Sequence, residues 1–150
     1  MRKDGKPRVV IDTNLLISAI ISKGNSSPSH LLTVWRNKKI NLVLTDNLLA
    51  EIEAVFNREK IFKPYHISLN TRALLLKELR NSADIVIPIK RGALPLNSRD
   101  KKDDLLLMCA FGGNCDYLVT GDMDLLVLQG RPELGSLRIV KATELLALLT

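Results

Sequence analysis

Apolar residues along this chain fall into short, nearly unbroken runs, separated by longer stretches in which they recur every three or four positions. The unbroken runs lie at 8–12, 42–45, 85–87, 117–120 and 137–140, and are rich in Val, Ile and Leu. Runs of that kind read as strands buried on both faces. Between them the period is helical. Residues 15–21 are almost wholly apolar and read as an interior helix, and 29–38 place Leu31, Leu32 and Trp35 on one side. Thr45-Asp46 offers capping chemistry for a helix over 47–57, whose stripe is Leu48, Ile52, Val55 and Phe56. Further helices are predicted over 68–80, 105–111, 122–128 and 143–149. The helix at 105–111 is opened by Asp103-Asp104, is apolar all round, and is ended by Gly112-Gly113. The stretch 23–28 is a loop by composition, and Pro88 stops the third strand.

Strands alternating with helices pair in parallel and bury their sheet between helical layers. The pattern therefore predicts an α/β fold: a three-layer α/β/α sandwich with a central, mainly parallel five-stranded sheet, Rossmann-like, formed as a single domain over 1–150. The length suits one domain with a self-sufficient core.

Composition narrows the chemistry. Aromatic residues make up only 4% of the chain, so the core is aliphatic and extensive base stacking is excluded as a binding mode. Twenty-two basic against 16 acidic residues give a net charge of +6, which favours polyanionic partners. Cys109 and Cys115 have no Cys or His partners at zinc-ligand spacing; Cys109 reads as a buried thiol, and a reducing cytoplasm fits. His30 and His66 sit in unrelated segments and receive no role. No run approaches the ~20 apolar residues that span a bilayer, so no membrane association is expected.

The acids carry the candidate chemistry. Open parallel sheets bind ligands beyond the carboxyl ends of their strands. Asp12 closes the first strand, Asp122 falls two residues past the fourth, Asp104 opens a helix that feeds the fourth, and Glu51 lies in the helix after the second. Each alone has an ordinary structural reading: Asp12 and Asp122 as helix caps, Asp103 and Asp104 as dipole partners, Glu51 as a solvated residue. Glu51 and Glu53 flank the apolar stripe on opposite sides, and periodicity does not choose between them. Together, anions at one sheet edge repel one another and raise each other's pKa, a conflict that a divalent cation removes. Oxygen-only donors favour Mg²⁺ or Mn²⁺, as one or two ions.

Four blocks, in order and at fitting spacings, carry a resemblance that covers nearly the whole chain. They are Val9-Val10-Ile11-Asp12-Thr13-Asn14, Leu48-Leu49-Ala50-Glu51-Ile52, Arg99-Asp100-Lys101-Lys102-Asp103-Asp104 with Leu107 and Ala110, and the stretch from Cys115-Asp116-Tyr117 through Thr120-Gly121-Asp122-Met123-Asp124-Leu125. The chain resembles the PIN-domain family, in particular its toxin–antitoxin components. The resemblance implies a PIN-like fold and a metal-dependent endoribonuclease with catalytic Asp12, Glu51, Asp104 and Asp122. It selects Glu51 over Glu53 and Asp104 over Asp103. It implies direct metal contact for Asp12 and Asp104, direct or water-mediated contact for Asp122, and completion of the site or orientation of the water for Glu51. Asp103 and Asp124 are left as secondary ligands, with Asn14 and Thr120 orienting the acids.

Because such a site repels RNA, the basic loop with Lys90, Arg91, Arg99, Lys101 and Lys102 is the expected RNA-binding surface. Toxin membership implies a cognate antitoxin protein as partner. Leu74-Leu75-Leu76 and Leu145-Leu146 leave room for a homodimer, with core packing as the default reading. The alternative to an enzyme is a non-catalytic PIN-like module that binds RNA or protein. A phosphatase using Asp12 as nucleophile lacks the second acid such enzymes place two residues on, where this chain has Asn14.

Overall fold

The computed structural model describes residues 4–150. β1 (Arg8–Ile11) leads into α1 (Thr13–Ile21) and α2 (Ser27–Arg36). β2 (Asn41–Leu44) is followed by α3 (Asp46–Phe56), the one-turn α4 (Glu59–Phe62) and α5 (Leu69–Ser82). β3 (Asp84–Ile85) precedes α6 (Asp103–Gly112), β4 (Tyr117–Val119), α7 (Met123–Leu126), β5 (Arg138–Val140) and α8 (Ala142–Leu148). The strands form one sheet in the order β3-β2-β1-β4-β5, and every pairing is parallel. Helices flank this sheet as an α/β/α sandwich, as the alternation of elements predicts.

The central strands are apolar along their whole length because they are covered on both faces. Val9, Val10, Val43, Leu118 and Val119 have no exposed surface. Their side chains join Leu16, Leu48, Ile52, Leu107 and Leu145 in one continuous core. Of the leucines considered for a dimer face, Leu75, Leu76 and Leu145 are buried there and Leu74 is exposed.

Side-chain caps set the helix starts. Ser26 accepts from the Ser29 amide at 3.2 Å and Ser29 Oγ from the Ser26 amide at 3.0 Å, so α2 begins inside the stretch read as loop. Thr45 and Ser68 cap α3 and α5 without the reciprocal bond, accepting from the Leu48 and Thr71 amides. Gly112 is required by close approach: a Cβ there would lie 2.4 Å from the Ile87 carbonyl oxygen.

The sheet edges depart from expectation. β3 spans only Asp84–Ile85 rather than 85–87. The Val86 amide still donates to Leu44 O at 2.8 Å, but the chain then turns away toward Pro88, and Ile87 is 86% exposed. At the other edge, the outward amide of Ile139 in β5 donates to Gln129 Oε1 at 2.6 Å. Helix α4 has no counterpart in the sequence reading, being too short for a periodic signal. It is pinned by the buried Arg72, which donates to Phe56 O at 2.8 Å and Glu59 Oε1 at 2.7 Å and lies 4.8 Å from the centre of the Phe62 ring. Among the described residues, no helix is long and apolar enough to cross a membrane.

Candidate active site

The strand order places a topological switch between β1 and β4. The chain leaves β1 toward β2 on one side and β4 toward β5 on the other, which opens a crevice beyond their carboxyl ends. Asp12 follows β1 and Thr120 follows β4 at that crevice. The Thr120 hydroxyl, fully buried, donates to Asp12 Oδ2 at 2.8 Å and accepts from the Asp122 amide at 3.0 Å. Asp12 Oδ1 accepts from the Asn14 amide at 3.1 Å, and Asp122 Oδ1 from the Asp124 amide at 2.9 Å. Both acids therefore cap the helices that follow them and still present carboxylates to the crevice. The capping and site readings of Asp12 and Asp122 are compatible, since a carboxylate has lone pairs for both.

A cleft of about 270 Å³ lies at this point, lined by Asp12, Asn14, Glu51, Arg58, Asp100, Lys102, Asp103 and Asp122 among others. The two glutamates of α3 lie in different surroundings. Glu51 lines the cleft, whereas Glu53 pairs with Arg80 at 2.6 Å outside it. Burial, and then the charge of Asp12, push the Glu51 carboxyl above its ordinary range, with Lys102 and Arg58 opposing the shift.

The adjacent aspartates of α6 behave differently from expectation. Asp103, not Asp104, lines the cleft. Asp104 is 2% exposed and turned into the preceding loop: Oδ1 accepts from the Ser98 amide at 3.0 Å, Oδ2 from Asn97 Nδ2 at 3.3 Å, and Arg91 Nε stands 3.8 Å away. Successive residues of a helix point about 100° apart; here Asp103 faces the other acids while the loop engages both oxygens of Asp104. Ser98 Oγ donates to Asp103 Oδ2 at 3.3 Å, which links both aspartates to one loop residue.

Asp103 is held where its charged form is disfavoured. Burial foremost, then the charge of Asp122, a hydrogen bond shared with Asp122, and the charge of Asp100 push its carboxyl from 3.8 to about 7, against the Ser98 hydroxyl. One oxygen from each of Asp103, Asp122 and Asp124 lies within 4.8 Å of the others. An all-oxygen, mutually repelling donor set suits a hard divalent cation. Asp12 and Glu51 stand in the same cleft.

The basic loop is only partly at the site. Lys90, Arg91, Arg99 and Lys101 are exposed, Arg91 is engaged by Asp104 and by Lys101 O at 3.3 Å, and of the five only Lys102 lines the cleft. Sequence reasoning missed Asp100 and Arg58. Arg58 lies past the end of α3, in extended backbone, so helical periodicity gave no signal for it. Cys109 is buried with its thiol pushed up by burial, remote from the cleft and donating weakly to Val43 O at 3.8 Å.

A search of curated proteins finds no match. A family model described as PIN domain matches residues 8–124. That span runs from the first residue of β1 through Asp124, and so contains every acid of the cleft. A parallel sheet with its switch point between β1 and β4, acids converging there, and a match over most of the length all place this chain in the PIN-domain family, whose fold is of the nuclease type and whose members typically bind divalent metal.

Proposed function

We propose that the protein is a Mg²⁺- or Mn²⁺-dependent endoribonuclease that hydrolyses RNA phosphodiester bonds. The observation that carries this reading is the gathering of Asp103, Asp122 and Asp124 oxygens within 4.8 Å of one another, the first two lining a cleft that also holds Asp12 and Glu51. Asp103, Asp122 and Asp124 are the residues to hold the cation, with Asp12 beside them; the cation supplies charge neutralisation and a lowered pKa for bound water. This assigns to Asp103 the place that the family resemblance gave to Asp104. Asp104 serves instead to seat the 97–98 loop against α6.

Glu51 has the raised pKa expected of a group that takes a proton from an attacking water. Thr120 fixes the orientation of Asp12 and the backbone at Asp122, and Asn14 helps to hold Asp12 through its amide. No side chain is required as a covalent nucleophile. The basic excess suits RNA as substrate, and the resemblance to toxin–antitoxin components is what supports a further role as a cytoplasmic toxin, with a small antitoxin covering the acid cleft.

The test is cleavage of a labelled single-stranded RNA by purified wild type and Asp12→Asn, with Mn²⁺ and with chelator. Cleavage by the wild type alone, abolished by chelator, supports the reading. Equal cleavage by both proteins, or none by either, overturns it. For the toxin role, induced expression is expected to arrest growth with the wild type and not with Asp12→Asn.

A further inference from the structure

The acid cleft poses a problem for its own substrate. Five carboxylates line or adjoin it, from Asp12, Glu51, Asp100, Asp103 and Asp122, and a phosphodiester must approach them. Phosphate affinity then depends on cations at the rim that are not already neutralised.

The arginines separate on this criterion. Arg8, Arg36, Arg72, Arg80, Arg91 and Arg131 each stand within 4 Å of a carboxylate oxygen, and Arg138 stacks on Tyr117. Among the described residues, only Arg58 and Arg99 have neither kind of partner, and of these two Arg58 lines the acid cleft. Lys102, reaching the cleft from the start of α6, makes no ion pair among the described residues either. Both cations are exposed, and both lie near enough to Glu51 to favour its charged form. They come from separate elements, Arg58 from the turn between α3 and α4 and Lys102 from the N-cap of α6.

Arg58 is also held in place. Its amide donates to Val55 O at 3.0 Å, and the buried Arg72 binds both Phe56, two residues before it, and Glu59, directly after it. The backbone under Arg58 is therefore fixed while its guanidinium stays uncommitted. A rigid stem with an open planar fork suits bidentate contact with phosphate.

We propose that Arg58, assisted by Lys102, is the substrate-positioning group of the cleft and grips the RNA phosphate next to the one that is cut. This rests on the nuclease reading above. It also moves the main phosphate contact away from the outer loop of Lys90, Arg99 and Lys101.

The test is binding of a fluorescein-labelled single-stranded RNA by anisotropy across a KCl series in the presence of Ca²⁺, with KM and kcat measured under Mn²⁺. Mn²⁺ affinity is measured separately by calorimetry. Arg58→Ala is expected to weaken RNA binding about tenfold, lower the salt slope by about one, and raise KM more than it lowers kcat, with Mn²⁺ affinity unchanged. Arg58→Lys is expected to restore the salt slope and only part of the affinity. A folded Arg58→Ala protein with wild-type affinity and slope overturns the proposal while leaving the nuclease reading intact. A wild type that neither binds nor cuts RNA overturns both.

Discussion

The two ends of the same sheet handle charge in opposite ways. Beyond the amino end of β1, Arg8 donates to Gly113 O at 2.8 Å and pairs with Asp84 at 2.6 Å, while its amide donates to Asp116 Oδ2 at 2.8 Å. Anion and cation are matched there and tie β1, β3 and the α6–β4 turn together. Beyond the carboxyl end, Asp12, Asp103 and Asp122 crowd one cleft, and no Lys or Arg forms an ion pair with any of them among the described residues. Matched charges serve stability; unmatched ones cost stability and are retained where a ligand completes them. The contrast locates the chemistry without reference to any relative.

The largest expected effect comes from breaking the unmatched end. Asp12→Asn removes the charge and keeps one of the two acceptor oxygens, enough for the Asn14 amide or the Thr120 hydroxyl but not both, and cleavage of RNA under Mn²⁺ is expected to fall at least ~100-fold with the fold retained by circular dichroism. The two α6 aspartates should then part company. Asp103→Asn is expected to lose Mn²⁺ binding by calorimetry and to raise the melting temperature of the metal-free protein at neutral pH. Asp104→Asn is expected to keep metal binding and to lose about 1–3 kcal/mol of stability in urea unfolding, because the Ser98 amide loses a charged acceptor. The reverse assignment would return Asp104 to the metal centre.

Acidity sharpens the same contrast. The folded carboxyl of Asp103 titrates near 7 and its unfolded counterpart near 3.8, so the folded chain holds the proton more tightly. Its stabilising contribution is complete below the unfolded value and is lost as pH rises toward 7. The metal-free protein is thus expected to melt lower at pH 7.5 than at pH 5. Added Mn²⁺ should raise the melting temperature more at pH 7.5, where no proton must be displaced. A melting temperature that climbs between pH 5 and 7.5 without metal argues against this. At the matched end the effects are smaller: Arg8→Met is expected to cost about 1–2 kcal/mol from lost hydrogen bonds, with Mn²⁺ affinity and cleavage unchanged.

How much of this was legible in the sequence depends on what fixed each residue. Asp12 and Asp122 were readable because each closely follows a continuous buried strand, and the carboxyl end of a strand in a parallel sheet is a defined place. Glu51 and Glu53 were not separable by periodicity, since both border the stripe; Arg80, 27 residues downstream of Glu53, draws that side chain out. Asp103 and Asp104 were not separable because α6 is apolar all round and has no polar face to set its rotation. The resemblance to the family chose the residue that the 97–98 loop holds. Arg58 escaped notice because it lies past the end of α3, in a turn organised by the distant Arg72 rather than by local pattern.

The Gln129 side chain on the outer amide of Ile139 has a consequence for how copies of this protein can meet. An uncovered parallel edge is a template on which another polypeptide can extend the hydrogen-bonded ladder. Here the outward donor of the last strand is already occupied from within its own chain, and the opposite margin is only two residues long. Self-association by lengthening the sheet is thereby discouraged at both margins, and any homodimer is left to join through helix surfaces.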